Sequence, residues 1–211
     1  MKLQYVTMIA VAMLAACNNN TGKPAPIAGE RKASTMHASP DGSDYADSVN
    51  QGAIQTDTMA GSPLRAAMAN IGKVHVHIEY SAPGVKGRTI WGNLVPYGQV
   101  WASGANQATA IDFSGDVVIR ERSIAAGTYA LFTIPGQNEW IVILNKRFTQ
   151  HLTDEYDQNE DVARFVVKPL SLDTPVRRLT YSVVPESDST GNVILSWDRL
   201  QIMLPVAAGA G

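Results

Sequence analysis

Alternation of apolar and polar residues dominates the chain after Pro63. Between Lys73 and Tyr80 every second residue is apolar, which predicts a β-strand with one face in a core. Further short apolar runs predict strands at Ala108–Phe113, Asp116–Arg120, Gly127–Ile134, Glu139–Leu144, Ala163–Val167, Leu179–Val184, Val193–Trp197 and Leu200–Leu204. The last two can form one strand that bends at Asp198-Arg199. About nine short strands without a long amphipathic helix predict an all-β domain, a β-sandwich or jelly roll.

Two details refine this all-β prediction. Gly127–Ile134 and Glu139–Leu144 are apolar on both faces and flank the turn sequence Pro135-Gly136-Gln137-Asn138. This composition places them at the centre of the structure, where a strand is covered on both sides. Leu64–Asn70 contains good helix formers and predicts a short helical turn before the first strand.

The chain before Pro63 has a different composition. Residues 18–62 are rich in Asn, Gly, Ser, Thr, Ala and Pro, and their large apolar residues are isolated. Such a segment buries too little apolar surface to offset the entropy of ordering it. We therefore expect a flexible tether over 17–62, a folded domain over 63–205 and a flexible tail over 206–211.

The first residues predict export. Lys2 precedes the uncharged segment Leu3–Ala16, which is shorter than the roughly 20 residues that a membrane-spanning helix needs. Leu14-Ala15-Ala16-Cys17 resembles the bacterial lipobox, which implies cleavage of 1–16 and lipidation of Cys17. Asn18 in place of an aspartate favours the outer membrane under the known sorting rule, with the domain facing the periplasm. Cys17 is the one cysteine of the chain, so no disulfide is available to the domain.

Charge adds little to this assignment. The formal net charge is −2 and charged residues are 17% of the chain. This composition creates no strong field, so the sequence offers no electrostatic reason to expect a nucleic acid as a partner. The expected partners are the membrane, through the lipid anchor, and an unidentified small molecule, glycan or protein.

Several motifs resemble one family of exported bacterial proteins. The longest is Tyr80–Gly92, with the sequence YSAPGVKGRTIWG. Others are LVPYGQVW at 94–101, GANQAT at 104–109, AGTYALFTIPG at 126–136, the segment 139–146 and LSW at 195–197. Together they resemble the DUF2911 family, which implies an exported or lipid-anchored protein with an all-β domain and no assigned activity. Apart from a possible Zn²⁺ or Cu²⁺ ion, we expect no cofactor.

The chain departs from that family pattern at polar positions. Ala82 and Ala102 stand where many relatives carry arginine, and Gln107 stands where an acidic residue is common. Gln150-His151-Leu152 replaces a Gln-Trp-Gly-like segment. If relatives share a charged site built from these groups, this chain has lost much of its charge.

The Gly- and Pro-rich segment 83–107 is the first candidate site. A long irregular segment in a small domain is uncommon unless it has a function. Aromatic rings beside planar polar groups suit a glycan, a peptide or another small molecule. The candidate ligand-binding residues are Arg88, Trp91, Tyr97, Trp101, Asn106 and Gln107. The alternative is that Trp91 and Trp101 are core anchors that hold the loop down.

A second candidate site lies on the predicted strand at 73–80. His75, His77 and Glu79 alternate and therefore share a face, and imidazole and carboxylate are ligands for Zn²⁺ or Cu²⁺. The alternative is a solvated strand face. The sequence contains no recognisable nucleophile or phosphate-binding motif, so no catalytic residue is assigned. Three hypotheses remain open: a non-catalytic binding module, a metal-binding protein or metal-dependent enzyme, and a purely structural envelope protein.

Overall fold

The computed structural model describes residues 40–209, with side chains from Tyr45 onward. The predicted signal peptide and Cys17 lie outside the described residues. One α-helix, α1, spans Pro40–Asn50, and a 3-10 helix spans Gln158–Glu160. The strands are β1 Leu64–Ile71, β2 Val74–Ser81, β3 Ala110–Phe113, β4 Val117–Ile119, β5 Arg122–Ile124, β6 Gly127–Ile134, β7 Trp140–Asn145, β8 Asp161–Val167, β9 Leu170–Pro185 and β10 Thr190–Ala208.

The strands form two antiparallel sheets, as the periodicity predicts. One sheet has six strands in the order β1-β2-β3-β6-β7-β8, and the other has four in the order β5-β4-β10-β9. Both sheets contribute to one core: Ile78 and Leu131 from the first pack in the same cluster as Ile119 and Leu195 from the second. The predicted all-β, sandwich-like class is therefore confirmed.

The central strands β6 and β7 are covered on both faces. Leu131 and Val142 point into the core between the sheets. On the opposite face Phe132 and Ile143 form a second apolar cluster, which the loops before β3 and after β7 cover with residues such as Phe148. Two-sided burial explains why the sequence of both strands is apolar without alternation.

The predicted helical turn at 64–70 is wrong, because these residues form β1. Leu64 through Ile71 pair residue by residue with β2, and Gly72-Lys73 make a two-residue turn between the strands. Gly72 has a φ of +60°, which suits the primed turns of tight hairpins. Helix propensity is a weak bias, and pairing with β2 overrides it.

The C-terminal strand is longer than predicted and bent where predicted. β10 covers both predicted segments, and its register with β9 shifts around Asp198, whose φ is +52°. The strand continues to Ala208, and its last two residues pair with Val117 and Val118 of β4. The first half of the predicted flexible tail, residues 206–208, is thus part of the sheet.

The second half of the predicted tether packs on the domain. Ala46 and Val49 of α1 are fully buried, and the buried Arg65 of β1 donates to Asp47 over 2.7 Å. Asn50 donates to Thr180 of β9 over 2.9 Å. The packed structure therefore begins before residue 63. The reason is that the isolated apolar and polar residues of this segment find partners on β1 and β9.

Candidate functional site

An open cleft of about 600 Å³ lies where the 45–62 segment meets the sandwich. Its walls come from that segment, from the start of the 83–107 loop and from β9 and β10. The lining residues are Gln55, Thr56, Asp57, Val85, Lys86, Gly87, Pro175, Arg177, Asp198 and Arg199. The bend of β10 at Asp198 places two charged side chains at this cleft.

The cations of the cleft bond to backbone carbonyl oxygens. Lys86 Nζ donates to the Met59 carbonyl, and Arg199 donates to the Asp173 carbonyl over 2.9 Å. Arg177 donates to the carbonyls of the 45–62 segment, including that of Ile54 over 2.7 Å. Within the described part of the chain, none of these three cations forms an ion pair with a carboxylate. Their charges are therefore available to a ligand.

Arg178, the neighbour of Arg177 on β9, is buried and pairs with Asp57 of the cleft wall. Its guanidinium donates to Asp57 Oδ1 over 2.8 Å. The same guanidinium donates to the carbonyls of Met59 over 3.0 Å and Ala82 over 2.9 Å, and it lies over the Tyr45 ring. One side chain thus joins the 45–62 segment, β9 and the start of the 83–107 loop. Sequence reasoning missed this residue, because its partners are more than 90 positions away.

The Asp57 carboxyl is ionised in this setting. Burial raises its pKa, but the hydrogen bond and charge of Arg178 act in the other direction, together with the Tyr45 hydroxyl and Lys86. The net result is a pKa below the ordinary value of 3.8. Because Arg178 neutralises Asp57, the three cations of the cleft face one remaining carboxylate, that of Asp198.

The two tryptophans of the 83–107 loop belong to a cluster of all four tryptophans of the chain. The Trp91 ring lies 4.8 Å from that of Trp140 and 5.7 Å from that of Trp197. Trp101 stacks on Trp197 at 5.7 Å and donates from its indole nitrogen to the Gly104 carbonyl. Trp140 and Trp197 are buried, whereas Trp91 and Trp101 are half-buried. This placement matches the core-anchor alternative for both loop tryptophans.

The other predicted loop residues lie apart from one another. Arg88 is exposed and donates to the Gly84 carbonyl, close to the cleft. Tyr97 is 38% exposed and its ring lies against Gly92. Asn106 donates to Ser81 Oγ over 3.2 Å, and Gln107 pairs with the backbone of His151. The structure thus brings Trp91 and Trp101 together and spreads the other four around the loop.

The small polar residues beneath the loop form a buried network. Ser103 is fully buried with a φ of +56°, and its hydroxyl donates to Thr133 Oγ1 over 3.0 Å. Its carbonyl accepts from Tyr181 over 3.0 Å and from Thr109 over 3.0 Å. Burial raises the pKa of Tyr181 well above its ordinary value. This network fixes the loop to β6 and β9 and keeps these hydroxyls away from solvent.

The three predicted metal ligands lie on the outer face of β2. His75 and His77 have ring centroids 6.3 Å apart, and Glu79 follows on the same face, with all three residues partly exposed. Among residues 40–209, no three His, Cys, Asp or Glu side chains are placed to hold one ion. The zinc or copper site of His75, His77 and Glu79 stays a prediction.

Comparisons with known proteins show what the chain is similar to. No curated protein and no solved structure matches it. No helix in the described residues is long and apolar enough to cross a bilayer. A family model, described as a protein of unknown function, matches residues 62–206, which is more than half of the chain. This chain therefore belongs to the DUF2911 family.

Proposed function

We propose that this protein is an envelope lipoprotein whose sandwich is a non-catalytic binding module for a small molecule or glycan that carries an anionic group. The cleft with Lys86, Arg177 and Arg199 is the observation that carries the proposal. The lipobox-like sequence that ends at Cys17 supports the anchor.

The charge arrangement favours an oxyanion as the recognised group. The guanidinium of Arg199 is exposed, bonds to one carbonyl and retains further N–H donors. Arginine presents paired donors that match the oxygens of a phosphate or carboxylate, and lysine adds a mobile point charge. Val85 and Pro175 provide an apolar wall on which the rest of a ligand can rest.

Rigidity of the cleft supports binding as its role. Arg177 is held by three carbonyls of the 45–62 segment, at Val49, Ile54 and Gln55. Arg178 also holds this segment, through hydrogen bonds to Asp57 and to the Met59 carbonyl. A site whose walls are held before the ligand arrives loses less entropy on binding.

Thermal melting of the full chain carrying Cys17→Ser tests the proposed ligand class. The probes are glucose 6-phosphate, glucuronate and uncharged glucose. A ligand at one hundred times its dissociation constant adds about 2.7 kcal/mol, which moves the midpoint of a domain this size by roughly 5–10 °C. We expect a shift with at least one of the two anionic sugars, reduced by salt, and none with glucose.

Variants locate the binding in the cleft. Lys86→Gln combined with Arg199→Gln should abolish the shift. The matched control is Arg122→Gln, which removes an exposed arginine on β5 and should retain the shift. Equal shifts with glucose and the anionic sugars, a shift that survives the double variant, or no shift with any of the probes would each contradict the proposed ligand class.

The lipid anchor has its own test. We expect the native chain to incorporate a labelled fatty acid in cells and to fractionate with membranes. The Cys17→Ser variant should lose both properties. Membrane fractionation without label, or label that persists in the variant, would contradict lipidation at Cys17.

A further inference from the structure

The outer face of the β1–β2 hairpin carries sulfur as well as imidazole. Met68 of β1 is the direct partner of His77 in the antiparallel register. Side chains of directly opposed residues share a face, with Cβ atoms about 4.5–5.5 Å apart. Met68 is 52% exposed, so its side chain is accessible to solvent. A thioether and two imidazoles therefore lie on the same solvent-accessible face of the hairpin.

The two histidine rings lie slightly farther apart than a shared ion requires. Their ring centroids are 6.3 Å apart. Imidazoles that share one ion through metal–nitrogen bonds of about 2.0 Å have centroids within roughly 6 Å of each other. A small side-chain rotation therefore brings both rings to one ion, and the strand backbone need not move.

His75 is held in the tautomer that ligation requires. Its Nδ1 lies 2.8 Å from Asn70 Oδ1, and an amide oxygen only accepts hydrogen bonds. In the neutral ring this hydrogen bond places the proton on Nδ1 and leaves the lone pair on Nε2. Ligating histidines characteristically donate their second ring nitrogen in this way, which orients the ring and raises its basicity.

The donor set selects the metal. Among the described residues, no three His, Cys, Asp or Glu side chains are placed around one ion, so a third ligand beside the two imidazoles can come from another kind of side chain. Adding the Met68 thioether gives two nitrogen donors and one soft sulfur donor. Soft thioethers favour Cu(I), and imidazole suits copper in both oxidation states.

We propose that His75, His77 and Met68 form a surface copper site on the β1–β2 hairpin, with Asn70 orienting His75. The site is independent of the cationic cleft and extends the function proposed above. It differs from the sequence-predicted set because Met68 replaces Glu79 as the third ligand.

Anaerobic titration with Cu(I) against a competing chelator tests the site. The protein is the full chain carrying Cys17→Ser, which removes a thiol that would itself bind Cu(I). We expect one Cu(I) per chain with an X-ray absorption spectrum that contains sulfur and nitrogen ligands. No binding above the chelator background, or a spectrum without sulfur, would overturn the proposal.

Matched variants test whether Cu(I) binds at this site or at other methionines and histidines of the chain. Met68→Leu and His77→Ala should each weaken Cu(I) binding at least about tenfold, since even residues that only orient a ligand change affinity 10- to 100-fold. The controls are Met203→Leu, an exposed methionine on β10, and His151→Ala, an exposed histidine, and both should leave binding unchanged. A control that weakens binding as much as its partner variant would overturn the site.

A zinc titration distinguishes the two ligand sets. The proposed set predicts that Met68→Leu weakens Cu(I) binding far more than it weakens Zn²⁺ binding. If Zn²⁺ binds as tightly as Cu(I), and Glu79→Gln weakens both while Met68→Leu weakens neither, the thioether site is excluded in favour of the carboxylate set.

Discussion

Two neighbouring arginines of β9 show how one residue type serves two purposes. Arg178 is fully buried, pairs with Asp57 and donates to backbone carbonyls. Arg177 lines the open cleft, and its donors also reach carbonyls, but it has no carboxylate among its hydrogen-bond partners in the described chain. Both hold the same 45–62 segment.

Arg178 and Arg177 differ in how their positive charges are compensated. A buried guanidinium is stable only when a carboxylate and further acceptors replace the water it has lost. A cation at an open cleft keeps its water and needs no counter-charge from the protein. Arg178 is therefore bound into the structure, whereas the charges of Arg177, Arg199 and Lys86 remain available to a ligand.

Replacing each arginine by methionine should separate these roles most strongly. Arg178→Met removes the main counter-charge of the largely buried Asp57 carboxylate, so the free energy of unfolding should fall by about 3–5 kcal/mol. Arg177→Met leaves no unpaired charge and removes bonds to the carbonyls of the buried Val49 and of the more accessible Ile54 and Gln55, so it should cost only about 1–2 kcal/mol. Urea denaturation measures both values. Equal losses in the two variants would contradict the assignment of Arg178 as the structural member.

The 83–107 loop offers the same comparison between aromatic residues. Trp91→Ala removes the packing of a partly buried large ring in the tryptophan cluster and should cost about 2 kcal/mol. Tyr97→Ala, at a more exposed position, should cost less than about 1 kcal/mol. Both are measured by urea denaturation, with tryptophan fluorescence reporting the cluster. A cost at Trp91 as small as that at Tyr97 would instead favour a solvent-facing, ligand-binding role for Trp91.

Acid should weaken the buried pair without affecting the exposed cations. Because the folded pKa of Asp57 lies below its ordinary value, its contribution to stability is complete above pH 3.8 and is lost as the pH falls through the folded value. Between pH 4 and pH 2 the free energy of unfolding of the native chain should therefore fall more steeply than that of Asp57→Asn. Parallel curves for the two chains would contradict an ionised Asp57.

The smallest expected effect on stability is at Arg199. This side chain is exposed and bonds to one carbonyl, so Arg199→Gln should change the free energy of unfolding by less than about 0.5 kcal/mol. Urea denaturation alongside Arg178→Met measures the contrast directly. A loss above about 2 kcal/mol at Arg199 would mean that its charge is structural too.

The fold was predictable where local periodicity and burial agree. β2 alternates because one face is in the core, β6 and β7 do not because both faces are covered, and the bend at Asp198 was visible as a polar interruption in an apolar run. β1 was not predictable from its composition, since its conformation depends on pairing with β2. β5 is too short to show a period, and its turn uses Arg120 and Glu121 at positive φ without a glycine.

The candidate sites were predictable only in part. His75 and His77 are close in sequence, so their common face followed from strand geometry, whereas Met68 is added by the register of the β1–β2 hairpin. The cleft is built from four separated parts of the chain, so no short sequence motif predicts it. The burial of Arg178 was not predictable from the residues next to it in sequence, because its carboxylate partner, Asp57, is 121 residues away.

The position of Asp57 has a consequence for how this domain is delimited. The family match begins at residue 62, after Asp57, but the arginine that Asp57 neutralises lies well inside it. A protein trimmed to the shared stretch would keep the buried cation and lose its counter-charge and the helix that covers β9. The stretch that the family model matches is therefore shorter than the stretch that folds as a unit. A protein expressed from the family boundary should be less stable than one that starts before α1.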